Sequence, residues 1–146
     1  MNVESILKDH EGPPITCRPE DTVETVAGIL TTNKIGALPV HDAQRKLVGI
    51  ISERDVVRGL AENGSGCVNL KVSDLMTTDV ATCKPSDSIK DVIKIMMRRH
   101  IRHLPVMKDG ALLDILSQRD VMESRLEAKE LEANVLRDRV RVMGSV

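Results

Sequence analysis

Two Ser-x-x-Asp segments, Ser52-Glu53-Arg54-Asp55 and Ser117-Gln118-Arg119-Asp120, set a hydroxyl and a carboxylate three positions apart. Each follows an apolar run, so the Ser reads as the N-cap of a helix, where its oxygen satisfies an orphan backbone N–H. The acid then sits in the first helical turn on the side of the cap. A carboxylate there can accept two hydrogen bonds from a ribose diol, while the hydroxyl and the helix N-terminus can meet a phosphate. The same residues also make an ordinary cap with a dipole-favoured acid, which needs no ligand. Arg102 is the sharpest single residue, because a guanidinium on the approach to a strand offers a planar fork to phosphate oxygens. His103 adds a donor, and Arg119 lies on a helix start. The alternative for this cluster is a solvated cationic patch, since the dipole already favours Arg98, Arg99 and His100 at a helix end.

These residues belong to one unit written twice. Ile35-Gly36-Ala37-Leu38-Pro39-Val40 and Ile101-Arg102-His103-Leu104-Pro105-Val106 share an Ile-x-x-Leu-Pro-Val frame at an offset of 105 − 39 = 66. Thr16-Cys17-Arg18-Pro19 matches Thr82-Cys83-Lys84-Pro85, and Asp21 matches Asp87, at the same offset. The Ser-x-x-Asp segments are 117 − 52 = 65 apart, so one residue is lost between the anchors. The loss falls in the turn Asp42–Arg45 against Lys108–Gly110, where hairpins tolerate it. A period of this size means two related supersecondary units that bury their apolar faces against each other.

Each repeat is expected to open with a short helical turn, at Val3–Leu7 and Val72–Met76. Strand candidates follow at Ile15–Cys17 and Val80–Cys83. The next helix has Asp21 as its N-cap in the first repeat and runs from about Ser88 to Arg99 in the second. Val23, Val26, Ala27 and Leu30 form its apolar face, answered by Ile89, Val92, Ile93 and Met96. Antiparallel hairpins pair Ala37–His41 with Lys46–Ile51, and His103–Met107 with Ala111–Leu116. Asn63–Gly66 reads as a loop between the units. Gly49 becomes Asp114 in the second copy, and a carboxylate on a half-buried strand is expected to point to solvent or to mark a weakened copy.

The chain has 146 residues, 41% of them apolar and 29% charged, with a net charge of −1. This suits a soluble globular domain, and no run of 18 apolar residues spans a membrane. The N-terminus lacks the regions of a signal peptide, which places the protein in the cytoplasm. Near-neutral charge and the absence of Phe, Tyr and Trp argue against nucleic-acid binding. The same absence means that any bound base lies between aliphatic side chains. Cys17, Cys67 and Cys83 form no Cys-x-x-Cys pair and read as buried reduced thiols. The chain then runs on through Val121–Met143 without Gly or Pro. A stripe of Met122, Leu126, Lys129, Ala133, Leu136, Val140 and Met143 makes this a long amphipathic helix suited to a partner helix, and a homodimer is expected.

Over residues 3–125 the chain resembles a tandem pair of cystathionine-β-synthase-type (CBS) domains, a Bateman module. The resemblance rests on the two Ile-x-x-Leu-Pro-Val strands and the two Gly/Asp-Ile-Ile/Leu-Ser-x-Arg-Asp segments. It implies an α/β fold of the α+β type, two βαββα repeats about a pseudo-twofold axis, at 1–66 and 67–125, with a helical extension at 126–146. It also implies clefts that hold an adenosine nucleotide, AMP, ADP, ATP or the dinucleotide NAD, as a regulatory ligand. The implied contact residues are Val80, Arg102, His103, Pro105, Ser117, Arg119 and Asp120 in the second repeat. In the first they are Thr16, Lys34, Gly36, Ala37, Pro39, Ser52, Arg54 and Asp55. Gly36 and Ala37 replace the cation pair of the second copy, so the clefts should differ. The Asp120 cleft is expected to suit a phosphorylated nucleotide, and the Asp55 cleft to take a less charged ligand, to borrow Arg102 across the axis, or to stay empty. The expected role is regulatory rather than enzymatic, exerted on an unidentified effector protein. Two other readings compete: a structural dimerisation module with vestigial clefts, and a metal protein using His100-x-x-His103.

Overall fold

The computed structural model describes residues 1–144. Helix α1 spans Val3–Leu7 and α2 spans Val23–Asn33, followed by strands β1 (Ala37–His41) and β2 (Leu47–Ser52) and helix α3 (Glu53–Asn63). The expected loop after α3 is a 3₁₀ turn, Gly64–Asn69, which carries the buried Cys67. The second copy contains α4 (Val72–Leu75), α5 (Ile89–Arg99), β3 (His103–Lys108), β4 (Ala111–Ser117) and α6 (Gln118–Gly144).

The hairpins form as expected, with Leu38 opposite Ile51 and Leu104 opposite Leu116. In the second, Asp109 and Gly110 make a two-residue turn, both at positive φ, as strand twist requires in so short a connection. The candidate strands Ile15–Cys17 and Val80–Cys83 shrink to single parallel bridges, Cys17 with Val40 and Cys83 with Val106. The Cys17 and Cys83 N–H groups donate to the carbonyls of Pro39 and Pro105, each 3.0 Å away. Thr22, not Asp21, is the N-cap of α2. Asp21 instead accepts from the Arg18 N–H at 2.8 Å and closes the preceding turn.

Two cores form, and each takes its opening helix from the other repeat. Val3 and Ile6 of α1 are buried with Cys83, Val92, Leu104 and Leu116. Val72 and Leu75 of α4 are buried with Cys17, Cys67, Val26 and Leu38. Backbone bonds follow the exchange, because Val3 N–H donates to Asp87 and Val72 N–H to Asp21. This reciprocal crossing gives the chain its pseudo-twofold character and brings the Ser-x-x-Asp end of one repeat against the other.

The first turn of α6 packs on the second core through Val121, and the helix then runs outward. Met122, Leu126, Leu131, Leu136 and Val140 are all more than half exposed. Leu131 lies off the expected stripe, so the uncovered apolar surface is broader than one seam. The Met143 side chain and the end of the 126–146 extension lie outside the described residues.

Candidate functional site

Both Ser-x-x-Asp segments are reciprocal caps. At α3 the Asp55 N–H donates to Ser52 Oγ at 3.3 Å, and Asp55 Oδ2 accepts from Ser52 N at 2.9 Å and Oγ at 3.1 Å. At α6 the Asp120 N–H donates to Ser117 Oγ and Asp120 Oδ2 accepts from Ser117 N, both at 3.0 Å. The cap thus occupies one carboxylate oxygen of each acid. The other oxygen of Asp55 lies 3.3 Å from Arg58 Nη2. Among the described residues Oδ1 of Asp120 has no such neighbour and remains an acceptor for a ligand hydroxyl.

Two clefts lie beside these caps, and each is built from both repeats. One, of about 430 Å³, joins Ser52, Arg54 and Asp55 to Val80, Arg99, Arg102 and His103 of the second repeat. The other, of about 1220 Å³, joins Ser117, Arg119 and Asp120 to Lys34, Gly36 and Ala37 of the first. Arg102 and His103 line both, so Arg102 does reach the Asp55 cleft across the axis. The candidate residues are therefore gathered crosswise rather than repeat by repeat. Pro39 and Pro105 are buried in their strands and line neither cleft, and Thr16 is half-buried beside the cleft-lining Ile15.

The chain termini of α2 and α5 shape the clefts. Lys34 and His100 end these helices in the left-handed region, each at φ 54°, which turns the chain toward β1 and β3. Gly36 sits close under the cleft side chains, since a Cβ there would stand 2.7 Å from Glu53 Oε1 and 3.0 Å from His103 Cε1 and would push them aside. Arg54 donates to the His100 carbonyl at 3.2 Å, and Arg99 lies 3.6 Å from Asp79. Burial lowers the His103 pKa; Glu53 and Asp120 oppose that, and Arg102 adds to it. His103 therefore stays neutral at pH 7.

Asp114 does not point to solvent. Its carboxylate meets His10 Nδ1 at 2.9 Å, and the other ring nitrogen, Nε2, lies 3.3 Å from Asp120 Oδ2. The equivalent Gly49 faces a different neighbour: a Cβ there would meet Met76 Sδ at 2.8 Å and the Thr77 carbonyl at 2.9 Å. The strand position thus takes whatever the crossing segment supplies, and His10 supplies a partner for a carboxylate. Burial lowers the His10 pKa, but the hydrogen bond and charge of Asp114, with Asp120 behind them, outweigh it and leave the pKa raised. No sequence motif marks His10.

The three thiols are free and buried. Burial, reinforced by Asp21 and Asp87, pushes Cys17 and Cys83 up to about 12. His100 is an α5 cap, and among the described residues no three His, Cys, Asp or Glu side chains converge on a metal position.

Crossed repeats with a capped carboxylate and cations in each of two clefts define a tandem α/β module. The chain belongs to the CBS domain family, which matches residues 3–62 and 72–127. It is 32% identical over 137 residues to the CBS domain-containing protein CBSX3, mitochondrial, of Arabidopsis thaliana, covering 88% of this chain and 66% of that protein. It is 33% identical to an inosine-5′-monophosphate dehydrogenase of Methanocaldococcus jannaschii over 84% of this chain, but spans only 23% of that enzyme. Among solved structures, the CBS-domain protein ATU1752 from Agrobacterium tumefaciens superposes with a TM-score of 0.82 at 33% identity, covering 85% of this chain and 92% of that one. The CBS domain pair of protein MJ0100, in complex with 5′-methylthioadenosine and S-adenosyl-L-methionine, gives 0.76 at 29% identity, over 89% and 98% of the chains. No helix among the described residues is long and apolar enough to cross a membrane.

Proposed function

We propose that this chain is a regulatory module that binds adenosine ligands in its two crossed clefts and passes the signal to another protein. The observation that carries this reading is the placement of each capped acid, Asp55 or Asp120, in a cleft opposite the Arg102–His103 corner. A ribose diol on the acid then leaves the 5′ end inside a cleft lined by charged side chains, which suits an adenosine ligand with a polar 5′ group. The MJ0100 complex supports the ligand class. AMP, ADP, ATP and NAD are the phosphorylated candidates. The exposed apolar surface of α6 suits a second copy of the chain, with Glu127, Lys129, Glu130, Arg137 and Arg139 beside it to set orientation.

Thermal melting with added ligand tests the proposal. A ligand at about a hundred times its Kd adds about 2.7 kcal/mol, which raises Tm by several degrees in a domain of this size. Melting curves unchanged by millimolar adenosine, AMP, ATP and 5′-methylthioadenosine would refute it.

A further inference from the structure

The two clefts are related by the repeat but differ in charge. The Asp55 cleft sets Arg54, Arg99 and Arg102 against Glu53, Asp55 and Asp79. Its carboxylates on Asp55 and Asp79 each have an arginine within 4 Å, whereas Arg54 is bonded to a carbonyl and keeps its full charge for a ligand. The Asp120 cleft sets Lys34, Arg102 and Arg119 against Glu11, Glu53, Asp114, Asp120 and Glu123. There Arg119 is held by Glu123 at 3.0 Å, and Asp114 and Asp120 share the one imidazole of His10.

Side-chain exchanges across the repeat produce this difference. Arg99 answers to Asn33 at an offset of 66, and Gly49 and Arg58 answer to Asp114 and Glu123 at 65. Each exchange makes the lining of the Asp120 cleft more negative by one charge, because Arg58 itself lies outside the lining of the Asp55 cleft. Glu11 in place of Thr77 adds one more, whereas Lys34 in place of His100 and Pro13 in place of Asp79 oppose them by one charge each, leaving the Asp120 cleft more negative by two. Arg102 lines both clefts and does not discriminate.

We propose that the clefts divide adenosine ligands by charge. The Asp55 cleft takes the phosphorylated nucleotide, and the Asp120 cleft takes a nucleoside whose 5′ group is uncharged or cationic, such as a thioether or sulfonium. This rests on the adenosine-binding reading above and reverses the expectation that Asp120, sharing a repeat with Arg102, holds the phosphate. The physical reason is that a phosphate entering the Asp120 cleft meets two carboxylates served by one imidazole, while a sulfonium is attracted by the same pair.

Calorimetric titration of the full chain with AMP, 5′-methylthioadenosine and S-adenosylmethionine tests the division. Asp55→Asn should weaken AMP at least tenfold and leave 5′-methylthioadenosine within about threefold, and Asp120→Asn should do the reverse. In the otherwise intact chain, Asp114→Asn with Glu123→Gln should let a second AMP bind, with affinity raised about threefold to tenfold per charge removed at low ionic strength. A gain of that kind cannot come from a folding defect. The division is overturned if AMP binding is lost in Asp120→Asn and kept in Asp55→Asn, if both ligand classes compete for one cleft, or if the double variant gains no AMP. Binding of neither class to the intact chain would instead overturn the adenosine-binding reading itself.

Discussion

Truncating Val3 and Ile6 together to Ala tests the exchange of opening helices. Both are buried in the core that contains Cys83, at 0% and 5% exposure. The change removes two carbons from Val and three from Ile, roughly 4 kcal/mol at about 0.8 kcal/mol per buried methylene. Residual cavity raises the loss toward about 5 kcal/mol, much of the total stability of an ordinary domain. Buried thiols report where the structure opens, because Cys17 and Cys83, with pKa values of about 12, react only when exposed. Under native conditions the double variant should speed maleimide labelling of Cys83 by on the order of a hundredfold or more, with Cys17 and Cys67 lagging. The mirror variant, Val72→Ala with Leu75→Ala, should speed Cys17 and Cys67 and spare Cys83, as their shared core requires. Peptide mass spectrometry separates the sites. If the Val3/Ile6 variant exposed Cys17 and Cys67 first, each opening helix would pack on its own repeat and the reasoning would fail.

Three further outcomes follow from the site. The raised pKa of His10 stabilises its protonated form, so this contribution is complete below the ordinary value of 6.5 and is lost as pH rises through the folded value. Stability measured by denaturant titration should therefore fall as pH rises above about 6.5 relative to His10→Gln; His103, whose pKa is lowered, works in the opposite direction and cancels in that comparison. Arg102→Ala should cost AMP about 10- to 150-fold in affinity by loss of a charge-assisted bond, with adenosine nearly unaffected; equal losses for both would mean the residue acts through folding. Deleting residues 127–146 should shift the sedimenting species toward monomer while leaving adenosine binding intact, and a full-length chain that sediments as a monomer at tens of micromolar would contradict the role given to α6.

The repeat, both hairpins, the four-residue caps and the buried thiols were legible in the sequence because each is written in local spacing. Leu38 and Leu104 sit in matching Leu-Pro-Val runs ahead of polar turns, Ser52 and Ser117 precede acids by three, and Cys17 and Cys83 recur at one offset. The family followed from the same signals. Three features were decided only in three dimensions. The strands at Ile15–Cys17 and Val80–Cys83 reduce to single bridges, since Pro39 and Pro105 on the neighbouring strands have no N–H with which to extend the ladder. The clefts assemble crosswise, because α1 and α4 bury their apolar residues in the core of the opposite repeat, a choice of partner that no local periodicity encodes. His10 joins Asp114 and Asp120 across more than a hundred positions of chain, through a crossing segment that carries no motif. Local hydrogen bonding and side-chain periodicity fix which elements form, whereas the pairing of distant charges waits on the packing that brings them together.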